Sequence, residues 1–245
     1  DGHSLLLMST VPTAMVYDPA FGYEIATIVA DGLRRMYEQG EEIFYYLALY
    51  NDNYLQPTKP EGVEEGILKG LYKFKAGEKK KIKAHILGSG PIINSALRAQ
   101  EILAERYGVS ADVWSATSYK LLRTDAIRCQ RWNMLHPTEA PKKSYVEQLL
   151  AKEQGTFVAV SDNIRTVPDQ IAPWVPGGLF TLGTDGFGRS DTRARLRRFF
   201  QVDAESTVIG TLYALAQKGE IGREVVAKAI KDLGVDPEKI QPQLV

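Results

Sequence analysis

Short, strongly apolar runs alternate along the chain with longer segments whose apolar residues recur every three or four positions. Residues 14–17 and the almost wholly apolar residues 43–50 predict strands, and the second run is typical of a strand buried on both faces of a parallel sheet. Residues 20–37 have the spacing of an amphipathic helix, for which Asp18 is the expected N-cap and Pro19 the first helical residue. Together these elements predict one α/β unit.

The same alternation continues through the rest of the chain. A loop at residues 51–66 and a strand or hairpin at 67–75 precede the charged stretch 76–81, which is typical of a solvated turn. We place a domain boundary there, between a first unit of residues 1–77 and a second of residues 78–245. Further strands are predicted at 83–87, 111–116, 156–161 and 180–183, and helices at 92–107, 145–152, 167–174, 193–200, 204–218 and 223–233. This order predicts an α/β fold, a mostly parallel sheet with helices on both faces.

Charge and cysteine content exclude several classes of protein. The chain has 245 residues with 30 basic and 30 acidic side chains, and a balanced charge argues against nucleic-acid or membrane-surface partners. The single cysteine, Cys129, excludes an internal disulfide framework and fits a reducing cytoplasm. No apolar run approaches the ~18 residues of a membrane-spanning helix. Because the sequence starts at Asp1 without methionine, we expect it to be a piece of a longer polypeptide.

Two glycine-rich turns are the first candidates for chemistry. Residues 88–91 lie where a dinucleotide fingerprint would, but Ile93 replaces its third glycine and Pro91 lacks a backbone donor, which favours a plain turn. Residues 183–191 (Gly-Thr-Asp-Gly-Phe-Gly-Arg-Ser-Asp) lack the ligand spacing of a calcium loop. We interpret them as a packed connection at a sheet edge or a subunit contact.

The histidines provide no complete site either. Residues 131–137 (Arg-Trp-Asn-Met-Leu-His-Pro) are predicted to be a loop, in which His136 is expected to be structural. His3, His85 and His136 lie far apart in the sequence, and neither their spacing nor that of Cys129 resembles a zinc site. The residues by themselves thus predict an α/β scaffold without a full catalytic set.

Several strings do resemble one enzyme family. They are Asp-Gly-His-Ser at residues 1–4, Tyr-Asp-Pro-Ala at 17–20, Asn-Asp-Asn-Tyr at 51–54, and the strings at 131–137 and 183–191. Taken in order, they resemble the homodimeric, bacterial-type pyruvate dehydrogenases, the decarboxylating first component of the pyruvate dehydrogenase complex. The resemblance extends from one end of the chain to the other.

This resemblance implies a thiamine diphosphate enzyme of transketolase-like architecture with three α/β domains. Residues 1–77 would be the end of the pyrimidine-binding domain and residues 78–245 the transketolase-like C-terminal domain. Thiamine diphosphate and Mg would be bound mainly by upstream domains, so no catalytic, cofactor or metal role is assigned here and this chain alone should be inactive. The family decarboxylates pyruvate and passes the acetyl group to a lipoyl group of dihydrolipoamide acetyltransferase.

The resemblance also suggests active-site neighbours, namely His3, Asn51 and Asn53. The family's histidine near the cofactor would lie just upstream of Asp1, so its role is not transferred to His3. Sugar-phosphate relatives have a phosphate-binding arginine in the loop that matches residues 50–53, and this sequence has no basic residue there. Its absence fits a small keto acid such as pyruvate. Alternatively, Asn51 and Asn53 simply make turn hydrogen bonds.

The C-terminal unit is expected to serve assembly. Phe187, Phe199 and Phe200 are the residues we expect at a contact across the dimer axis. A non-catalytic α/β dimerisation or assembly module is a further interpretation of the chain. A related thiamine diphosphate enzyme, such as a transketolase or a 2-oxoglutarate dehydrogenase, is a third.

Overall fold

The fold is built on a five-stranded sheet in the order β3-β5-β4-β6-β7. The computed structural model describes residues 2–245. The strands are β3 (Tyr72–Lys75), β4 (Ile82–Gly88), β5 (Val109–Ser115), β6 (Thr156–Val160) and β7 (Leu179–Leu182). All neighbours pair in parallel except β3, an antiparallel strand at one edge. The predicted mostly parallel sheet is therefore confirmed.

Helices cover both faces of this sheet. On one face α4 (Ile93–Tyr107), α9 (Ala204–Gln217) and α10 (Arg223–Asp232) pack with Ile86 and Val113. On the other lie α5 (Tyr119–Leu135), α6 (Tyr145–Leu150) and α7 (Thr166–Asp169), which pack with Leu87 and Trp114. Neighbouring strand residues point to opposite faces, so adjacent apolar residues supply both cores. The remaining helices are α1 (Ser4–Ser9), α2 (Gly22–Leu33), α3 (Glu64–Lys69) and α8 (Arg193–Phe199).

The N-terminal part adds a second, two-stranded parallel sheet, β1 (Ala14–Tyr17) with β2 (Phe44–Leu47). The prediction that residues 43–50 are buried on both faces is wrong, because Phe44 is 41% exposed and Leu49 62%. In the described residues β2 pairs only with β1, and its two faces, although both pack against core residues, are only partly buried. The predicted boundary at residues 77/78 stays a prediction; β3, just before it, pairs with the sheet formed by later strands.

The predicted cap of α2 is also wrong. The helix begins at Gly22, and the Glu24 carboxylate accepts hydrogen bonds from the backbone N–H groups of Ala20 (2.5 Å) and Phe21 (3.1 Å). Asp18 instead points inward, and its backbone N–H donates to the Thr117 carbonyl at 2.8 Å. A glutamate inside the first turn has taken the role that the sequence pattern gave to Asp18.

Three further elements differ from prediction. Residues 131–135, predicted as loop, are the last residues of α5; that helix was missed because its buried residues cluster near its start and the rest is largely solvated. Residues 67–75, predicted as strand or hairpin, contain the end of α3, a left-handed Gly70 and then β3. The helix predicted at 167–174 is split between α7 and a 3₁₀ turn at Ala172–Trp174. No helix in residues 2–245 is long and apolar enough to cross a membrane.

Candidate active-site cleft

A cleft opens where the carboxyl ends of the parallel strands meet. The residues that follow β1, β4, β6 and β7 are polar there; they are Asp18, Ser89, Asp162, Asn163 and Thr184. Parallel strands place such residues at one edge, where ligands of open α/β sheets bind. The cavity measures about 530 Å³ and is lined by residues 46–50, the β6–α7 and β7–α8 loops and α8. This is the size of a pocket for a small molecule.

The floor behind this cleft is a buried polar network centred on Asp18. One carboxylate oxygen of Asp18 accepts from the Asn163 side-chain amide at 3.1 Å, and the other, Oδ1, is buried with no hydrogen-bond partner among the described residues. The Ser161 hydroxyl accepts from the Asn163 backbone N–H at 3.0 Å and lies 3.3 Å from that of Ser89. Burial raises the pKa of Asp18 to about 7, with the Ser89 and Tyr50 hydroxyls acting in the opposite direction. Asp18 is thus a titratable group near neutrality beside the cleft.

The wall of the cleft carries ion pairs between α8 and the loop after β2. The Arg193 guanidinium donates to the Asn51 side-chain oxygen and lies 3.7 Å from the Asp52 carboxylate. Arg197 lies 3.3 Å from Asp52 and 3.5 Å from Asp162. Burial raises the pKa of Asp162, and Arg197 opposes this shift. The two arginines are therefore already paired with acids of the same chain.

The glycine-rich string at 183–191 forms the rim of this cleft. Gly186 has a φ of +111°, a conformation that favours glycine. Asp185 accepts from the Arg165 backbone N–H at 2.8 Å, and the Thr184 hydroxyl donates to the Asp162 carbonyl at 2.8 Å. These contacts agree with the interpretation of residues 183–191 as a packed connection. The position of this segment beside a ligand-sized cleft was not predicted.

The active-site neighbours predicted from the resemblance lie around this cleft to different degrees. Asn51 reaches it through Arg193. Asn53 is exposed on the same loop, and His3 is exposed at the start of α1, between the cleft residues Gly2 and Ser4. The Gly2 carbonyl accepts from the Ile164 backbone N–H at 2.8 Å, which fixes the N-terminal string to the β6–α7 loop. Their catalytic relevance stays a prediction.

The glycine turn at residues 88–91 is filled by protein. A Cβ at Gly90 would lie 2.7 Å from Asp18 Oδ1 and 2.9 Å from the Tyr50 ring. A Cβ at Gly88 would lie 2.9 Å from the Cα of Ile93. These glycines therefore permit close packing of the turn against the Asp18 network, which agrees with a plain turn rather than a nucleotide site.

One cluster of possible metal ligands was missed by sequence reasoning, because its members are far apart in the chain. His85, Asp112 and Glu153 bring one ligand atom each within 4.8 Å of one another. The Lys73 ammonium lies 2.8 Å from both carboxylates and so occupies the centre that a cation would need. The cluster is an ion-paired network with its own internal cation.

The hydrogen bonds of His85 fix its tautomer. The Trp114 indole N–H can only donate, and it lies 3.2 Å from His85 Nδ1, which is therefore the acceptor. His85 Nε2 carries the proton and donates to the Gln154 carbonyl at 3.0 Å. Burial lowers the pKa of His85, so the neutral ring is favoured. Both ring nitrogens are used in structure, which leaves neither for a metal.

The three phenylalanines expected at a dimer contact differ in exposure. Phe187 is 85% exposed on the cleft rim. Phe199 and Phe200 are half-buried and pack edge to face with centroids 4.9 Å apart. Of these three phenylalanines, Phe187 is therefore the one whose ring is exposed.

A mostly parallel sheet covered on both faces, with a polar cleft at the carboxyl ends of its strands, defines an open α/β protein, a class in which ligands generally bind at that edge. Residues 70–203 match the family described as "Transketolase-like TK C-terminal domain", and residues 1–57 match "Pyruvate dehydrogenase E1 component middle domain". The chain belongs to the transketolase-like C-terminal domain family.

Curated relatives agree with the family predicted from the sequence strings, which is confirmed. The chain is 47% identical over 246 residues to the pyruvate dehydrogenase E1 component of Pseudomonas aeruginosa, covering 99% of this chain and 28% of that protein. It is 46% identical over 246 residues to that of Escherichia coli K12, covering 100% and 28%. The chain therefore spans about 28% of the length of these relatives.

Solved structures show the same fold at low sequence identity. The transketolase of Leishmania mexicana matches with a TM-score of 0.62 at 16% identity, over 88% of this chain and 27% of that chain. A structure described as "Split gene transketolase, inactive beta4 tetramer" matches with a TM-score of 0.59 at 17% identity, over 88% and 61%.

Proposed function

We propose that this chain is part of a pyruvate dehydrogenase E1 component, a thiamine diphosphate enzyme that decarboxylates pyruvate and transfers the acetyl group to a lipoyl group of dihydrolipoamide acetyltransferase. The observation that carries the proposal is the 47% and 46% identity to two such components over 99% and 100% of the chain. The matches to the middle and C-terminal domains in their expected order support it.

The residues present do not fit thiamine diphosphate or its magnesium ion. In residues 2–245 the one group of three possible metal ligands is His85 with Asp112 and Glu153, and the Lys73 ammonium already binds both of its carboxylates at 2.8 Å. The glycine turn before α4 is filled by Asp18 and Tyr50, which leaves no cradle for a diphosphate. We propose that polypeptide outside these 245 residues binds the cofactor, and this chain supplies one wall of the site.

The charges of that wall support a substrate without phosphate. A phosphate is best bound by an arginine whose guanidinium is free for two parallel hydrogen bonds. In the cleft Arg193 and Arg197 are both paired with Asp52, and Arg197 also with Asp162. A dianionic phosphate would have to displace these carboxylates, whereas a small keto acid need not.

We propose a homodimer in the cytoplasm, with the cleft near the contact between subunits and a boundary near residue 77 between the pyrimidine-binding and C-terminal domains. The exposed Phe187 on the cleft rim supports the placement of the contact. The split-gene transketolase that shares this fold is described as an inactive beta4 tetramer. By analogy, we expect residues 1–245 alone to be inactive.

The test is an assay of pyruvate decarboxylation with an artificial electron acceptor, in the presence of thiamine diphosphate and Mg²⁺. The full-length polypeptide that contains this sequence should turn over pyruvate, and neither 2-oxoglutarate nor a ketose phosphate should replace it. Residues 1–245, purified separately, are the matched control and should give no turnover. Turnover by the short chain would contradict the division of labour, and preference for either other substrate would contradict the proposed substrate.

A further inference from the structure

Residues 239–245, called the tail below, contact the C-terminal end of α8. The Lys239 ammonium donates to the carbonyl oxygen of Arg198 at 2.9 Å and to that of Phe199. The last carbonyls of a helix have no partner within the helix, and they lie at the negative end of its dipole. A half-buried lysine that binds two of them therefore holds the end of α8 in place.

The Phe199 ring joins this lysine to the glycine-rich rim of the cleft. Lys239 Nζ lies 4.7 Å from the ring centroid, and the guanidinium carbon of Arg189 lies 4.6 Å from it. Both are within the range of cation–π attraction. Arg189 itself lines the cleft. One aromatic ring thus connects the tail, α8 and the rim.

A second contact of the tail supports the start of the same rim. Pro242 is buried, whereas Gln241 and Gln243 on either side are exposed. A Cβ on Gly186 would lie 2.7 Å from the Pro242 carbonyl oxygen, so the tail and the rim touch backbone to backbone. The segment from Gly186 to Phe199, which forms one wall of the cleft, is held by the tail at both ends.

The other face of α8 holds the loop after β2. Arg193 binds Asn51, and Arg197 lies within ion-pair distance of Asp52 and Asp162. A contiguous set of contacts therefore leads from Lys239 through α8 to residues 51–52. We infer that Lys239 is a positioning residue, which fixes α8 and through it the Asn51 loop of the cleft. Its effect on substrate rests on the proposed function; its effect on α8 rests on the contacts alone.

The test compares variants of the full-length enzyme. Lys239→Met keeps the aliphatic stem over Phe199 and deletes the ammonium, while Lys239→Arg keeps a cation. Lys231→Met, at an exposed position of α10, is the matched control. The first readout is the rate of trypsin cleavage after the arginines of residues 189–198, mapped by mass spectrometry. The second is the steady-state KM for pyruvate against kcat, with each variant's thermal midpoint recorded.

Lys239→Met should raise the cleavage rate in residues 189–198 and the KM by about threefold to tenfold, the range for the net loss of one partly exposed hydrogen bond. Its kcat should stay within about twofold, because a loosened loop weakens substrate and transition state alike. Lys239→Arg should keep the cleavage rate and the KM close to those of the wild type, and Lys231→Met should change neither quantity.

Unchanged cleavage in Lys239→Met would overturn the positioning of α8. Faster cleavage with an unchanged KM would overturn the link from α8 to the substrate site. A wild-type enzyme that does not turn over pyruvate would refute the proposed function instead, and the cleavage rates would still decide whether Lys239 holds α8.

Discussion

Removal of the Glu24 side chain should destabilise the fold more than any exposed substitution. This fully buried carboxylate accepts hydrogen bonds from the backbone N–H groups of Ala20 (2.5 Å) and Phe21 (3.1 Å), and from the hydroxyls of Tyr72 (2.7 Å) and Ser115 (2.6 Å). It therefore joins the start of α2 to β3 and β5. Burial raises its pKa against these four donors, so its own desolvation offsets part of what the hydrogen bonds contribute.

The expected loss follows from the donors that Glu24→Ala leaves behind. Two buried backbone N–H groups lose their acceptor, at about 1–3 kcal/mol each, so the expected loss is about 2–6 kcal/mol. Glu24→Gln keeps the shape but turns an amide N–H toward these donors, and should lose about 2 kcal/mol. Glu38→Ala, at an exposed site just beyond α2, should stay within about 0.5 kcal/mol.

Urea unfolding of the 245-residue chain, followed by far-ultraviolet circular dichroism, measures these differences. The midpoint for Glu24→Ala should fall by about 1 M or more at an unchanged slope. A loss below about 1 kcal/mol, or an equal loss in Glu38→Ala, would refute the view that this carboxylate links α2 to the sheet.

Three other substitutions test the cleft and its rim. Burial raises the pKa of Asp18 from 3.8 to about 7, so its contribution to the free energy of unfolding should fall as the pH rises from about 4 to about 7. Asp18→Asn should lack this fall. Parallel curves of stability against pH for the variant and wild type would refute the raised pKa. Gly186→Ala should lower the free energy of unfolding by about 2 kcal/mol, because the new Cβ would contact the Pro242 carbonyl. Gly62→Ala, whose Cβ would have no atom within 4 Å, should lower it by about 1 kcal/mol. Equal losses in urea titrations would show that the tail does not contact the rim closely. Phe187→Asp in the full-length protein should shift sedimentation toward a monomer, and an unchanged profile would argue against a contact at this rim.

The hydrophobic pattern predicted the elements that are buried along their length. β6 is a nearly continuous apolar run, and β4 is buried from Ala84 onward, because helices cover both faces of the sheet. α4 has the full stripe of an amphipathic helix. The pattern failed where burial is partial. α5 buries residues mainly in its first turns, and its later half has no apolar stripe. β2 is apolar but only partly buried.

More of the cleft could have been predicted from the sequence. Asp18, Ser89, Asn163 and Thr184 each follow a predicted strand closely, and in a parallel sheet that position alone places them at one edge. The Lys73 network could not have been found in this way, because its partners come from β4, β5 and the turn before β6, and only their pairing register brings them together. Local sequence holds no signal for such a register.

The paired charges of the cleft restrict the movement of its side chains. Arg197 lies between Asp52 and Asp162, so none of the three is free to rotate toward a ligand without unpairing another. A rigid, internally neutralised surface holds its shape before a ligand arrives, and the ligand then need not order it. By the same reasoning, a change in any one of these residues should alter the cleft through its partners, which makes their effects on a bound ligand non-additive.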